Sequence, residues 1–217
     1  MVTIKRRGLM FILSAPSGTG KTTLANKLIE IDSHISFSIS STTRNKRSSE
    51  VDGKDYYFKD KSDFQNSIKN NDFLEYAEIF DHFYGTPKKQ VLEKLDDGQD
   101  VLFDIDWQGH RQLCSTARKD VTSVFLLPPS MKELYNRLKS RDMDDEKIIE
   151  KRMERADEEI SHWHEYDYII INRDFEESIG KLLEILRAER LKKERRIGLN
   201  GFVGTLINEQ LVKNKIV

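Results

Sequence analysis

The sequence is poor in cysteine, proline and long apolar runs, and neither sign of charge dominates. Its one cysteine, Cys114, cannot close an intrachain disulfide, which excludes a stapled secreted scaffold and makes a reducing, cytoplasmic setting the expectation. Cys114 itself reads as inert packing. No stretch reaches the roughly 18 apolar residues that a membrane span requires. Lys5-Arg6-Arg7 leads only into Leu9 to Leu13, a core strand rather than a signal peptide. Lysine and arginine total 36 against 37 acidic residues, so the broad basic field of a general nucleic-acid binder is absent. The basic run Arg187 to Arg196 is interrupted by Glu189 and Glu194 and has no interleaved stacking aromatics. His34, His82, His110, His162 and His164 show no metal-cage spacing to cysteine or carboxylates. Neither a nucleic acid nor a membrane is expected as partner.

What is present is an alternation of buried strands and helices on a chain sized for one domain with insertions. Leu9-Met10-Phe11-Ile12-Leu13 is continuously apolar and ends at Ser14-Ala15-Pro16-Ser17-Gly18, as in a strand covered on both faces of a parallel sheet. Leu24, Leu28 and Ile31 follow at helical spacing. Val101 to Phe103, Val121 to Leu127 and Tyr168 to Ile171 read as three further strands, the first two each followed by a helical segment. The fold class is therefore α/β, a central parallel sheet flanked by helices.

Between His34 and Gln90 short alternating stretches separated by turns such as Asp52-Gly53 predict a mixed α+β insertion. From Ser140 to Glu159 opposite charges alternate densely, as in a mobile helical flap or an ordinary solvated helix. A last helix is predicted over about Phe175 to Arg196, and the weakly periodic segment after Gly198 is expected to be partly disordered. The expected division is a core of 1–33, 91–138 and 165–217, an insertion of 34–90 and a lid of 139–164.

Ser14 to Thr23 joins a buried strand to a helix and contains Gly18-Thr19-Gly20-Lys21-Thr22-Thr23, the context of a phosphate-binding loop. Gly18 and Gly20 let the backbone N–H groups from Ser17 to Thr23 turn onto phosphate oxygens at a helix N-terminus. Lys21 would reach the β- and γ-phosphates. Thr22 and Asp104, at a strand end, would hold Mg²⁺, partly through water. The usual pattern has Gly where Ala15 stands, and the small side chain is expected to be tolerated. The competing reading is a tight strand-to-helix turn that merely uses Gly and Ser.

An acceptor has to be sought elsewhere. Ser40-Ser41-Thr42-Thr43-Arg44-Asn45-Lys46-Arg47 sets two arginines three apart among hydroxyls, which suits bidentate grip on a phosphate, or else a solvated basic loop. Gly53-Lys54-Asp55-Tyr56-Tyr57-Phe58, Phe73-Leu74-Glu75-Tyr76-Ala77-Glu78, Tyr84-Gly85-Thr86 and Asp104-Ile105-Asp106 follow in order. Together these segments resemble guanylate kinase, over roughly Leu9 to Arg190.

The resemblance implies phosphoryl transfer from ATP to GMP with Mg²⁺, on a P-loop core bearing a GMP-binding insertion and a helical lid. It assigns the acceptor phosphate to Ser40, Arg44, Arg47, Tyr56 and Tyr84, and the guanine to Glu75, Thr86, Asp104 and Asp106. Guanine presents adjacent N1–H and N2–H₂ donors, which an acceptor-only carboxylate complements and adenine cannot match. Arg137, Arg141 and Arg152 match the lid cations, and Asn172 either lies near the adenine or caps the final helix. Ser140 and Asp142 replace the usual hinge glycines, and Asn172-Arg173-Asp174 replaces Asn-Asp-Asp. In-line attack needs no general base, so Lys21, Arg44, Arg141 and Arg152 are the expected catalytic groups. The alternatives are a noncatalytic protein-binding module of the same fold and a kinase for AMP or a pyrimidine monophosphate. Either a monomer or a homodimer is compatible with the sequence.

Overall fold

A computed structural model describes residues 4–79, 81–140 and 146–213. Its first half runs β1 (Lys5–Arg6), β2 (Met10–Ser14), α1 (Lys21–Ile31), β3 (Ile35–Phe37), β4 (Ser41–Thr42), β5 (Tyr57–Phe58), α2 (Lys61–Lys69), β6 (Phe73–Ile79), β7 (His82–Pro87) and α3 (Lys88–Asp96). The second half runs β8 (Asp100–Asp104), α4 (Trp107–Ala117), β9 (Val121–Leu127), α5 (Met131–Lys139), α6 (Glu146–Ser161), β10 (Tyr168–Ile171), α7 (Phe175–Arg190), β11 (Arg196–Ile197) and α8 (Leu199–Lys213).

The apolar run of β2 lies at the centre of a five-stranded parallel sheet of order β10-β9-β2-β8-β3. Its side chains alternate between two cores. Leu9, Phe11 and Leu13 pack with Leu24 and Leu28 of α1 and with Ile179, Leu182 and Leu186 of α7. Met10 and Ile12 pack with Val91 and Leu95 of α3 and with Leu113 of α4. Each such buried side chain contributes about 1.5–3 kcal/mol of transfer free energy, which is why the run has no polar face. A parallel sheet ends all its strands at one edge, and there Leu13 of β2 stands in register with Asp104 of β8.

A second sheet of order β5-β4-β7-β6 is built from residues between Ser41 and Pro87. Phe64 of α2 stacks on Phe73 and Phe83, with ring centroids 4.4 and 5.5 Å apart, and closes one face of it. β3 falls in the 34–90 stretch yet pairs with β8 in the main sheet, so the chain completes the core before leaving it. The charge-dense segment forms α6, in which Ile149, Met153 and Ala156 at helical spacing pack on Leu134 and Leu138 of α5.

One expectation at the C-terminal end is corrected. The helix expected over Phe175 to Arg196, α7, stops at Arg190, because Arg195 folds back into the core. There it donates from Nε to the Glu189 carbonyl at 3.0 Å and from Nη2 to the Thr122 hydroxyl at 3.1 Å, and β11 then pairs with β1. After Gly198 the chain forms α8 through Lys213. It leaves Val203, Leu206 and Ile207 exposed, so no core-facing stripe was imposed on its sequence. Among the described residues no helix is long and apolar enough to cross a membrane.

Candidate active site

The connection from β2 to α1 is a phosphate cradle by backbone geometry. Gly18 and Gly20 have φ of 92° and 99°, a region that L side chains enter only with strain. A Cβ on Gly18 would stand 2.8 Å from Leu138 Cδ2, and one on Gly20 would stand 2.9 Å from Asn172 Nδ2. Gly20 caps α1 with no side-chain hydrogen bond, so the first N–H groups of the helix are available to an anion. Ala15 keeps an ordinary φ and packs against the core, which is how the loop accepts Ala there.

Lys21 and Thr22, in the first turn of α1, meet Asp104 across the sheet edge. The Lys21 ammonium is ion-paired with Asp104 Oδ1, and the Thr22 hydroxyl donates to Asp104 Oδ2 at 3.3 Å. Beside them a cleft of about 390 Å³ is lined by Gly18, Thr19, Gly20, Thr23, Arg137 and Asn172, while Ser17 is exposed on the loop. Asn172 does not cap α7; Asp174 does, accepting the Glu177 N–H at 2.9 Å. Instead Asn172 Nδ2 donates to the Thr19 carbonyl at 2.7 Å, and its Oδ1 accepts from Ser178 at 2.8 Å. Arg137 of α5 donates to Glu133 at 3.0 Å and to the Asn172 carbonyl at 3.3 Å, which sets its guanidinium at the loop.

A second polar group gathers on the small sheet. The β6–β7 register puts Glu75 opposite Thr86, whose hydroxyl donates to Glu75 Oε1 at 2.5 Å and lies 3.5 Å from Ser40 Oγ. Glu75 is 8% exposed and Thr86 fully buried. Burial pushes the Glu75 carboxyl above the ordinary carboxylate range. The Thr86 hydroxyl draws it partly back, and the charge of Asp106 adds to the rise. Asp106 caps α4, with Oδ1 accepting from both Gln108 N–H and Gly109 N–H at 3.0 Å. Tyr56 and Tyr84 meet edge to face at 6.0 Å, Arg44 lies over the Tyr56 ring at 5.5 Å, and Arg47 is exposed.

Of the remaining expected residues, Arg152 is half-buried on α6, and Arg141, like Asp142, lies outside the described residues. Several residues at the site carried no legible motif. Gln112 of α4 bonds β6 beside Glu75, donating to the Tyr76 carbonyl and accepting the Tyr76 N–H, both at 3.0 Å. Trp107, next to Asp106, stacks on His162 at 3.8 Å, and Arg111 joins both Trp107 and Glu165, tying α4 to the end of α6. Glu159 of α6 is held above its usual range by burial, against the pull of Lys21. These partners are remote in sequence, so only an arrangement in space reveals them. Among the described residues no cluster of three or more histidine, cysteine or carboxylate groups could cage a metal.

The guanylate kinase family matches residues 7–189. The guanylate kinases of Bradyrhizobium diazoefficiens and Nitrobacter winogradskyi are 56% and 55% identical to this chain, over 92% and 94% of its length and 91% and 93% of theirs. A crystal structure of guanylate kinase from Anaplasma phagocytophilum is similar with a TM-score of 0.71 at 39% identity, covering 93% of this chain and 96% of that one. A phosphate cradle on the central strand, a buried carboxylate on the small sheet and similarity along nearly the full length agree: the chain belongs to the guanylate kinase family.

Proposed function

We propose that this chain transfers the γ-phosphoryl group of ATP to GMP, giving ADP and GDP, with Mg²⁺, in purine nucleotide metabolism. The observation that carries the reading is the buried Glu75–Thr86 carboxylate–hydroxyl pair, on the same molecule as an intact phosphate-binding loop. Glu75 accepts from guanine N1–H and N2–H₂, with Thr86, Asp104 and Asp106 completing the base site. AMP would leave the buried carboxylate with only its Thr86 bond and no donors from the base.

Ser40, Arg44, Arg47, Tyr56 and Tyr84 take the acceptor phosphate, whose oxygen attacks the γ-phosphorus in line. The loop N–H groups, Thr23, Arg137 and Asn172 hold ATP. Lys21 neutralises β- and γ-oxygens, while Arg44, Arg141 and Arg152 offset charge on the group in transit. The Thr22 hydroxyl and Asp104 carboxylate are hard oxygen donors 3.3 Å apart, a pair that suits Mg²⁺ together with substrate phosphates. They would hold the ion, partly through water, and when bound it supplies charge neutralisation at the transferring phosphoryl group.

The core, the 34–90 insertion and the 139–164 lid are the parts that close on the two substrates and exclude water. A cytoplasmic monomer or homodimer fits this reading. The noncatalytic alternative gains nothing from a loop that keeps Lys21, Thr22 and Asp104 together. The test is coupled ADP release with ATP and Mg²⁺, in parallel with GMP, AMP, CMP, UMP or no acceptor. Turnover with GMP alone is expected; silence with every acceptor from folded protein refutes the activity.

A further inference from the structure

One carboxylate ties the acceptor loop together and has no role in the account above. Glu50 Oε1 accepts from Arg44 Nη2 at 2.6 Å, and its Oε2 accepts the Arg47 backbone N–H at 2.8 Å. Its own N–H donates to the Arg47 carbonyl at 3.1 Å. The two side chains are sheltered, Arg44 at 16% and Glu50 at 13% exposure. The second terminal nitrogen of Arg44 donates to the Asn45 carbonyl at 2.7 Å, and the guanidinium lies over the Tyr56 ring. Arg44 is therefore fixed on three sides, while Arg47 is exposed.

A carboxylate on a phosphate-binding arginine can act in two opposite ways. It can occupy the place of the phosphate and have to be displaced, or it can brace the arginine and stay. The Arg47 N–H decides between them. Swinging Glu50 aside would strip that backbone donor of its acceptor as well as release Arg44, so two bonds oppose displacement. Staying, Glu50 restricts a side chain rich in rotamers before the ligand arrives, and the ordering cost is removed from binding.

We propose that Glu50 is a positioning residue for the acceptor phosphate: it acts through Arg44, holding the guanidinium in the orientation that receives GMP. The inference rests on the GMP reading above, and its test separates the two. GMP and ATP binding are titrated by calorimetry for the wild-type chain, Glu50→Gln, Arg44→Lys and the double variant, with KM measured for each substrate. Glu50→Gln is isosteric, and Glu50→Asp serves in its place if the glutamine variant does not fold.

The expected result is an affinity for GMP weakened about tenfold in Glu50→Gln, on the scale of one charge-assisted contact, with the ATP constants unmoved. In the Arg44→Lys background the same change should cost less than about twofold, since the group it orients is gone. Tighter GMP binding by Glu50→Gln would mark Glu50 as a competitor and overturn the inference. Equal losses in both backgrounds would reduce it to loop scaffolding, and no loss would remove the role altogether. A wild-type chain that binds ATP but not GMP overturns the functional reading, and the inference with it.

Discussion

Replacing Glu75 by Gln should move GMP recognition and stability in opposite directions, because the same burial serves one and burdens the other. Gln keeps an oxygen to accept the Thr86 hydroxyl, now 2.5 Å from Glu75 Oε1, so the strand pairing is preserved. Its amide N–H₂ would then face the N1–H and N2–H₂ donors of guanine, donor against donor at a position where Glu75 is 8% exposed. Losing a charge-assisted bond and leaving buried donors unpaired costs about 2–3 kcal/mol. At 1.36 kcal/mol per decade that is roughly a 30- to 160-fold fall in kcat/KM for GMP, with KM for ATP little changed.

The stability effect has the other sign. Burial raises the Glu75 pKa in the folded chain above its ordinary value of 4.5, so the folded state holds this proton more tightly than the unfolded state does. Stability therefore falls as pH rises from about 4.5 through the folded value, and the loss persists above it. Gln never ionises and lacks that loss. Its thermal midpoint should exceed that of the wild type at about pH 8, the gap shrinking toward about pH 4. Steady-state kinetics with GMP and fluorimetric melting across pH check both halves. Unchanged GMP kinetics would refute base readout by Glu75, and a midpoint lowered at about pH 8 would refute the burial argument.

Three further outcomes follow from the same geometry. Lys21→Ala removes the partner of a partly exposed Asp104 and should cut turnover at least about 10²-fold while the circular dichroism spectrum is retained; undiminished turnover would dismiss the lysine from the chemistry. Gly18→Ala forces an L residue to φ 92° and a Cβ to 2.8 Å from Leu138, so a loss of about 1–2 kcal/mol, a fall in melting midpoint of roughly 2–8 °C, and weaker ATP binding are expected; an unchanged midpoint would show that the loop relaxes freely. Glu165, hydrogen-bonded by Arg111 and His162, is held down to about 2 from 4.5, so its contribution is full above about pH 4.5 and lost as pH falls toward 2. The melting gap between the wild type and Glu165→Gln should thus be larger at about pH 7 than at about pH 3, and a constant gap would contradict the ion-pair account.

The alternation of strands and helices was legible because burial on both faces leaves no polar position in Leu9 to Leu13. The phosphate loop was legible because glycines at 18 and 20 answer a local backbone demand. Both signals lie within about ten residues. The acceptor side was legible only as a resemblance: nothing local in Glu75 distinguishes it from an edge-strand carboxylate until β7 sets Thr86 across from it. Asn172 shows the limit from the other side. Its place before a helix suggested a cap, yet Asp174 holds that position, and Asn172 instead reaches Thr19, 153 residues away in sequence.

The sequence by itself determined the α/β class, the phosphate-binding loop and the exclusion of a disulfide scaffold, since these depend on periodicity, local φ demands and a cysteine count. Only the tertiary structure decided that Arg195 turns into the core beyond the end of α7, that α8 forms with Val203, Leu206 and Ile207 exposed, and that Glu50 pairs with Arg44. The physical reason is common to all three. A buried charge, the exposure of a helix side chain and an ion pair each depend on what surrounds them in space, and sequence order does not record those surroundings.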